Sequence, residues 1–363
     1  MAPGILIQTA DGSLETSDGS VLYFSADRFR QQICESDACF LCGAAAGTRE
    51  FNNEHIFPRW LLEHMELFDT HLTLPNGTRI RYGQYTIPCC KACNSRLGAE
   101  IEEPVSRILR GGFQSVRAHL EEHGKALLYT WLSFIYLKTH LKDRQLRQHR
   151  DERLPKEMIS RAHEYEWERF HHTYCVARAP FFGVKVAREA TGSFTVFEVK
   201  ELKGFPRYDY RDFTMAQTLL LRVRDVAFLA VFDDSGAALS DRHDYFSRIT
   251  GAPSAIQLRE LLAHLAYTNM AISDRPRFST HVEPGGFAIR VRRPTQIVRE
   301  PFEEEALGGI LYSCVEDYLP NVVAPNIEEI REAIKLARYS FLFHANGEFI
   351  RDSMIDPEAP AQG

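Results

Sequence analysis

The pattern of apolar and polar positions changes character along the chain. Up to about residue 90 it is short and alternating. Ile5 and Ile7 alternate with polar neighbours, Asp11-Gly12 and Asp18-Gly19 supply turns, and Val21-Leu22-Tyr23-Phe24 is a second apolar run, so residues 4–24 predict short strands. Ser25 stands where a cap would open a helix reaching about Ser36. Residues 49–56 predict a strand, and Pro58 opens a helix with Trp60, Leu61, Leu62 and Met65 on its apolar face. Residues 71–82 predict a hairpin turning at Pro75-Asn76-Gly77, inserted before a further strand at Tyr85-Thr86-Ile87. From Lys91 the pattern is helical, with breaks expected near Pro104 and Gly111-Gly112. Over residues 125–150, Leu127, Leu128, Trp131, Phe134, Ile135, Leu137 and Leu141 keep one side apolar. Pro155 predicts another helix reaching about His171.

After His171 the texture turns to strands, expected at 182–187, 194–199, 214–223, 226–232 and 287–291, with a turn at Asp233-Asp234-Ser235-Gly236. Ser254 caps a helix carrying Leu258, Leu261, Leu262 and Leu265. Asn326 and Glu329 have the spacing of a capping box for a helix to Arg338. Residues 356–363 read as a frayed tail. At 363 residues the chain is long enough for two domains. The reading is a two-part α+β protein, with one domain over 1–123 and a helical connector plus mixed α+β domain over 124–363.

Composition narrows the class. Hydrophobic residues make up 44% and charged residues 25%, ordinary for a globular chain, and the net charge of −6 excludes a polybasic protein. Positive charge is local: residues 91–150 carry eleven Lys or Arg against six acids. No apolar run reaches about 18 residues, so no membrane span is expected. The N-terminus lacks the basic and apolar regions of a signal peptide, which points to the cytoplasm.

Six of the eight cysteines fall before residue 94, a clustering that suits metal binding better than a disulfide framework. Cys39-Phe40-Leu41-Cys42 and Cys90-Lys91-Ala92-Cys93 are two Cys-x2-Cys pairs. Thiolates at i and i+3 across a tight turn reach one tetrahedral ion, and two such pairs make a closed structural zinc site. Cys89 is an alternative to Cys90, but Cys90 keeps the two-residue spacing to Cys93. Cys34 reads as helix packing, and Cys175 and Cys314 as core.

Between the pairs lies Asn53-Glu54-His55-Ile56-Phe57-Pro58, and Asn94 follows Cys93 directly. In this order the motifs resemble the HNH endonucleases, specifically the subgroup whose ββα-metal unit is held by zinc knuckles. The resemblance covers about residues 39–103 and does not extend to the rest of the chain. It implies His55 as general base and Glu54 and Asn94 as ligands of a catalytic Mg²⁺ or Mn²⁺. It also implies cleavage of DNA to 3′-hydroxyl and 5′-phosphate ends. Many family members have Asp where Glu54 stands, and the middle Asn of the motif has no clear match; Gln84 or Tyr85 stands near its place. RNA is the alternative substrate. Lys91 and Arg96, which flank Asn94, are the first candidates for phosphate contacts, followed by Arg59 and Arg79. Of Glu100, Glu102 and Glu103, one is a candidate outer ligand, against ordinary helix solvation. His171-His172 reads as surface. The competing function is a non-catalytic zinc module that binds nucleic acid or protein. Zinc folding alone needs none of Glu54, His55 and Asn94, which favours the enzyme. The C-terminal part is expected to serve as a sensor, targeting or homodimerisation module, an arrangement that suits a bacterial defence effector.

Overall fold

Mixed helices and antiparallel strands run through the computed structural model, which describes residues 6–202, 205–283, 286–322 and 326–351. The chain divides into two compact units. One comprises Met1–Arg110, Gly124–Arg188 and Phe278–Arg290; the other comprises Gly111–His123, Glu189–Arg277 and Val291–Gly363. The division therefore does not fall at 123/124. The reason is the helix Ala126–Asp143, which buries 15 of its 18 residues instead of one face. A helix covered all round is a core element, and this one belongs to the first unit.

In the first unit, Leu6–Gln8, Leu14–Thr16 and Val21–Tyr23 form a three-stranded antiparallel sheet. Ser25 accepts from the Arg28 amide and caps the helix that follows, which widens into a π turn over Phe29–Cys34. Strands Phe51–His55 and Thr86–Cys90 pair antiparallel, and the inserted hairpin His71–Thr73/Arg79–Arg81 forms as expected. The helix Lys91–Leu97 continues through wider turns at Gly98–Glu102 into Glu103–Arg110. Pro104 does not interrupt it; it falls where the wider turns of Gly98–Glu102 give way to Glu103–Arg110. The helix expected from Pro155 is replaced by a short turn, Ile159–Ala162, and by Trp167–Arg178. Glu164 lies between them at φ 50°, which no helix tolerates. Strand Val184–Val186 pairs in parallel with Gly286–Arg292, whose other neighbour is Arg277–Glu283.

In the second unit the sheet order is Tyr208–Phe213, Thr218–Val223, Val226–Val231, Phe194–Glu198, all antiparallel. Every residue of the two middle strands is buried. Helix Ala255–Ala271 covers them, opened by a reciprocal capping box of Ser254 and Gln257. Strand Tyr208–Phe213 and helix Glu304–Val315 had no sequence expectation. The first is largely polar (YDYRDF), and the second carries a helix-weakening Gly308-Gly309. Gly308 is required: a Cβ there would lie 1.9 Å from the Lys335 carbonyl oxygen of the neighbouring helix Ile327–Lys335. The box expected at that helix does not form; Asn326 Nδ2 donates to Glu329 instead, at 3.0 Å. Ile5 and the expected tail lie outside the described residues. Among the described residues no helix is long and apolar enough to cross a membrane.

Candidate metal centre and active site

The paired strands Phe51–His55 and Thr86–Cys90 and the helix Lys91–Leu97 carry the site. The first knuckle closes through Gly43, whose amide donates to the Cys39 carbonyl at 2.8 Å. Gly43 sits at φ 75°, and a Cβ would meet the Phe24 ring at 2.6 Å. The second knuckle begins on the last strand residue, Cys90, and ends in the first turn of the helix. The sulfurs of Cys39, Cys42, Cys90 and Cys93 all lie within 4.8 Å of one another. Cys42 and Cys90 are 3.8 Å apart, matching the edge of a tetrahedron of sulfurs at 2.3 Å from zinc, about 3.8 Å. The set is close enough to hold a metal ion and is compatible with structural zinc. Cys89 is not one of the four. It points to the opposite face of its strand from Cys90, and its sulfur packs 3.7 Å from Cys39. Hydrogen bonds from Cys42, Cys89 and Cys93 hold the Cys39 thiol far below its ordinary pKa, and Cys39 in turn pushes Cys42 up to about 11.

Cys34 and Cys314 are buried as expected, and Cys175 is half-buried 3.5 Å from His171. The His171-His172 pair is half-buried. His171 Nε2 lies 2.7 Å from the Phe24 carbonyl, and His172 stacks on Phe278.

Glu54 points into the core and is 6% exposed. Its Oε1 accepts from Lys138 Nζ at 2.7 Å. Lys138, 1% exposed, lies on the central helix Ala126–Asp143. The same Nζ donates to the His55 carbonyl at 2.7 Å and lies 3.6 Å from Glu102. Burial pulls the Lys138 ammonium down, but Glu54 and then Glu102 outweigh it, and its pKa rises. Burial drives the Glu102 carboxyl up to about 8, against the pull of Lys138. Glu102 is therefore neither the outer ligand nor the solvated acid that the sequence suggested; it belongs to a buried ionic cluster.

His55 ends its strand half-buried, its ring 5.8 Å from Phe68. Burial lowers its pKa, opposed first by Glu54. Gly83 is packed so closely that a Cβ would meet Phe68 at 2.7 Å. Tyr85 is buried and directs its hydroxyl to the Thr139 carbonyl at 3.4 Å. Asn94, one residue past the last cysteine, donates through Nδ2 to Asn52 Oδ1 at 2.9 Å.

The cations expected to hold phosphate are mostly engaged. Lys91 pairs with Glu50 at 2.9 Å, and Arg59 pairs with Glu63 at 2.7 Å. Arg96 pairs with Glu100 at 2.9 Å and also donates to the Phe181 carbonyl. Arg79 is exposed on the inserted hairpin. Lys138, counted in the basic stretch, is buried and offers nothing to a surface ligand. Sequence reasoning gave Lys138 no role beyond its place in that stretch. The signal for Lys138 was a lone cation within the buried run Trp131–Leu141.

The divalent ion that the HNH resemblance implies would draw on Glu54 and Asn94. Asn94 suits it, since its acceptor oxygen is the atom an ion would use. Glu54 does not suit it in this arrangement, because its carboxylate already has a cation and almost no exposure. The chain matches no protein-family model, no curated protein and no solved structure.

Proposed function

We propose that the first unit is an HNH-type endonuclease, hydrolysing phosphodiester bonds in DNA, with zinc held by Cys39, Cys42, Cys90 and Cys93. The observation that carries this reading is the environment of His55. It ends a strand paired to the strand that runs into the second knuckle, and it is half-buried. Burial lowers its pKa and so favours the neutral ring, one nitrogen of which is an acceptor. A neutral, oriented imidazole is what removing a proton from an attacking water requires. The thiolate set has no open position, so its part is to fold the strand pair and helix, and through Cys93 to place Asn94. A divalent ion, when bound, would stabilise charge on the phosphate and leaving oxygen.

The chemistry proposed lies wholly in the first unit. The second, with its own apolar core, is proposed as the targeting, sensing or dimerisation part. The test is incubation of the full chain with plasmid, single-stranded DNA and RNA, with Mg²⁺, Mn²⁺ or chelator. His55→Ala should lose about 10²–10⁴-fold in rate with zinc content intact. Cleavage by His55→Ala at the wild-type rate would overturn the reading. A protein that cuts nothing yet binds DNA with zinc in place would be the non-catalytic module instead.

A further inference from the structure

The buried ammonium of Lys138 touches both members of the Glu54-His55 pair. It donates to Glu54 Oε1 at 2.7 Å and to the His55 carbonyl at 2.7 Å, and it lies 3.6 Å from Glu102. A lysine taken fully out of water is tolerated only when its donors are met and its charge is compensated. Here Glu54 meets one donor and compensates the charge, and the His55 carbonyl meets a second, so the group is fixed in place. It belongs to the central helix Ala126–Asp143, which is buried along nearly its whole length and gives it a rigid mount.

The consequence reaches the imidazole. A bond to the His55 carbonyl sets the peptide that leaves the strand end, and the ring packs 5.8 Å from Phe68. His55 is thus held at its main chain from the core. Glu54 supplies the negative charge that keeps Lys138 in the core. In this arrangement Glu54 acts on the base through Lys138, and not on a divalent ion.

We propose that Lys138 is a positioning residue for His55, with Glu54 as its counter-ion. The proposal rests on the nuclease reading for its kinetic arm and stands apart from it in its spectroscopic arm. The variants are Lys138→Met, Glu54→Gln and the double variant. The double variant removes both charges and leaves neither partner buried alone, which protects against simple unfolding. Zinc per chain and thermal unfolding establish that each variant folds.

The first readout is the His55 ring signal in a ¹H–¹³C spectrum of histidine-labelled protein, assigned by its loss in His55→Gln. All three variants should displace it and leave the zinc stoichiometry unchanged. The second readout is single-turnover cleavage. A shift of about 1 Å at a reacting group costs about 10²-fold, so each single variant should lose about 10²-fold in kcat with little change in KM. The double variant should lose about the same 10²-fold, because the two residues act as one unit. Losses that multiply to about 10⁴-fold would mean that Glu54 works independently of Lys138, and would overturn the proposal. So would a His55 signal that stays at its wild-type position in folded Lys138→Met or the double variant. If the wild-type protein cleaves nothing, the nuclease reading fails, and the His55 signal alone still decides the role of Lys138.

Discussion

Replacing the neighbours Cys89 and Cys90 by Ser, one at a time, gives opposite expectations. Both sulfurs lie within 4 Å of a knuckle sulfur: Cys89 is 3.7 Å from Cys39 and Cys90 is 3.8 Å from Cys42. Only Cys90 is part of the mutually close set of four. Structural zinc binding contributes on the order of 10–16 kcal/mol to folding in small zinc units. One ligand in four then carries about 3 kcal/mol. At roughly 2–4 °C per kcal/mol for a domain of 150–250 residues, Cys90→Ser should lower the melting of the first unit by about 6–12 °C. It should also strip zinc in a mild chelator that leaves the wild type loaded. Cys89→Ser removes no ligand. It exchanges one hydrogen-bonding group beside Cys39 for another and should cost about 1 kcal/mol. The assay is elemental zinc per chain after dialysis against graded chelator, with calorimetry on the same samples. If Cys89→Ser loses zinc while Cys90→Ser keeps it, the opposite-face argument for the strand is wrong.

Two further outcomes follow from buried and exposed charge. In the second unit, Asp209 and Arg259 are each about 7% exposed and make a two-pronged pair, and Tyr318 also donates to Asp209 at 3.2 Å. Asp209→Ala leaves the guanidinium buried alone and should cost about 3–5 kcal/mol, read as a lowered second-unit transition in calorimetry. An unchanged transition would mean that the charge is screened in some other way. In DNA binding measured by fluorescence anisotropy across salt concentrations, Arg79→Glu should weaken affinity more than Arg96→Glu. Arg79 is exposed, whereas Arg96 is already paired with Glu100 and bonded to Phe181. The reverse order would place the phosphate track beside Asn94.

What the sequence made legible was what depends on neighbours along the chain. The knuckle spacing, the hairpin at Asn76-Gly77, the Ser254 cap and the strand ending at His55 are all short-range signals. The structure has each of them. What it hid was tertiary. The helix Ala126–Asp143 showed an apolar side, but nothing local said that its other sides would be covered too. That is why the unit boundary was placed on the wrong side of it. Tyr208–Phe213 is a strand through its pairing with Thr218–Val223, and its buried Asp209 is met by Arg259, 50 positions away, which its own pattern does not show. A charge count over 91–150 cannot show that Glu50, outside the stretch, stands opposite Lys91, or that Glu100, within it, is the acid opposite Arg96.

The strand Phe51–His55 still contained the evidence for the inward acid. Side chains alternate between faces with a period of two. Directly opposed residues of an antiparallel pair share a face, so Glu54 lies with Ile87, and His55 lies with Thr86 on the other side. Ile87 is buried, which makes the Glu54 face the core face. Adjacent residues on a regular strand cannot both present their side chains to one surface site. For Glu54 and His55 to meet on one ion, the strand would have to end between them, but the ladder runs through both. A carboxylate on a core face demands a cation from the core, and the helix that covers that face carries Lys138 there. The inward turn of Glu54 and the burial of Lys138 are therefore one feature of the fold. His55, the strand's last paired residue, lies on the other face and is half-buried.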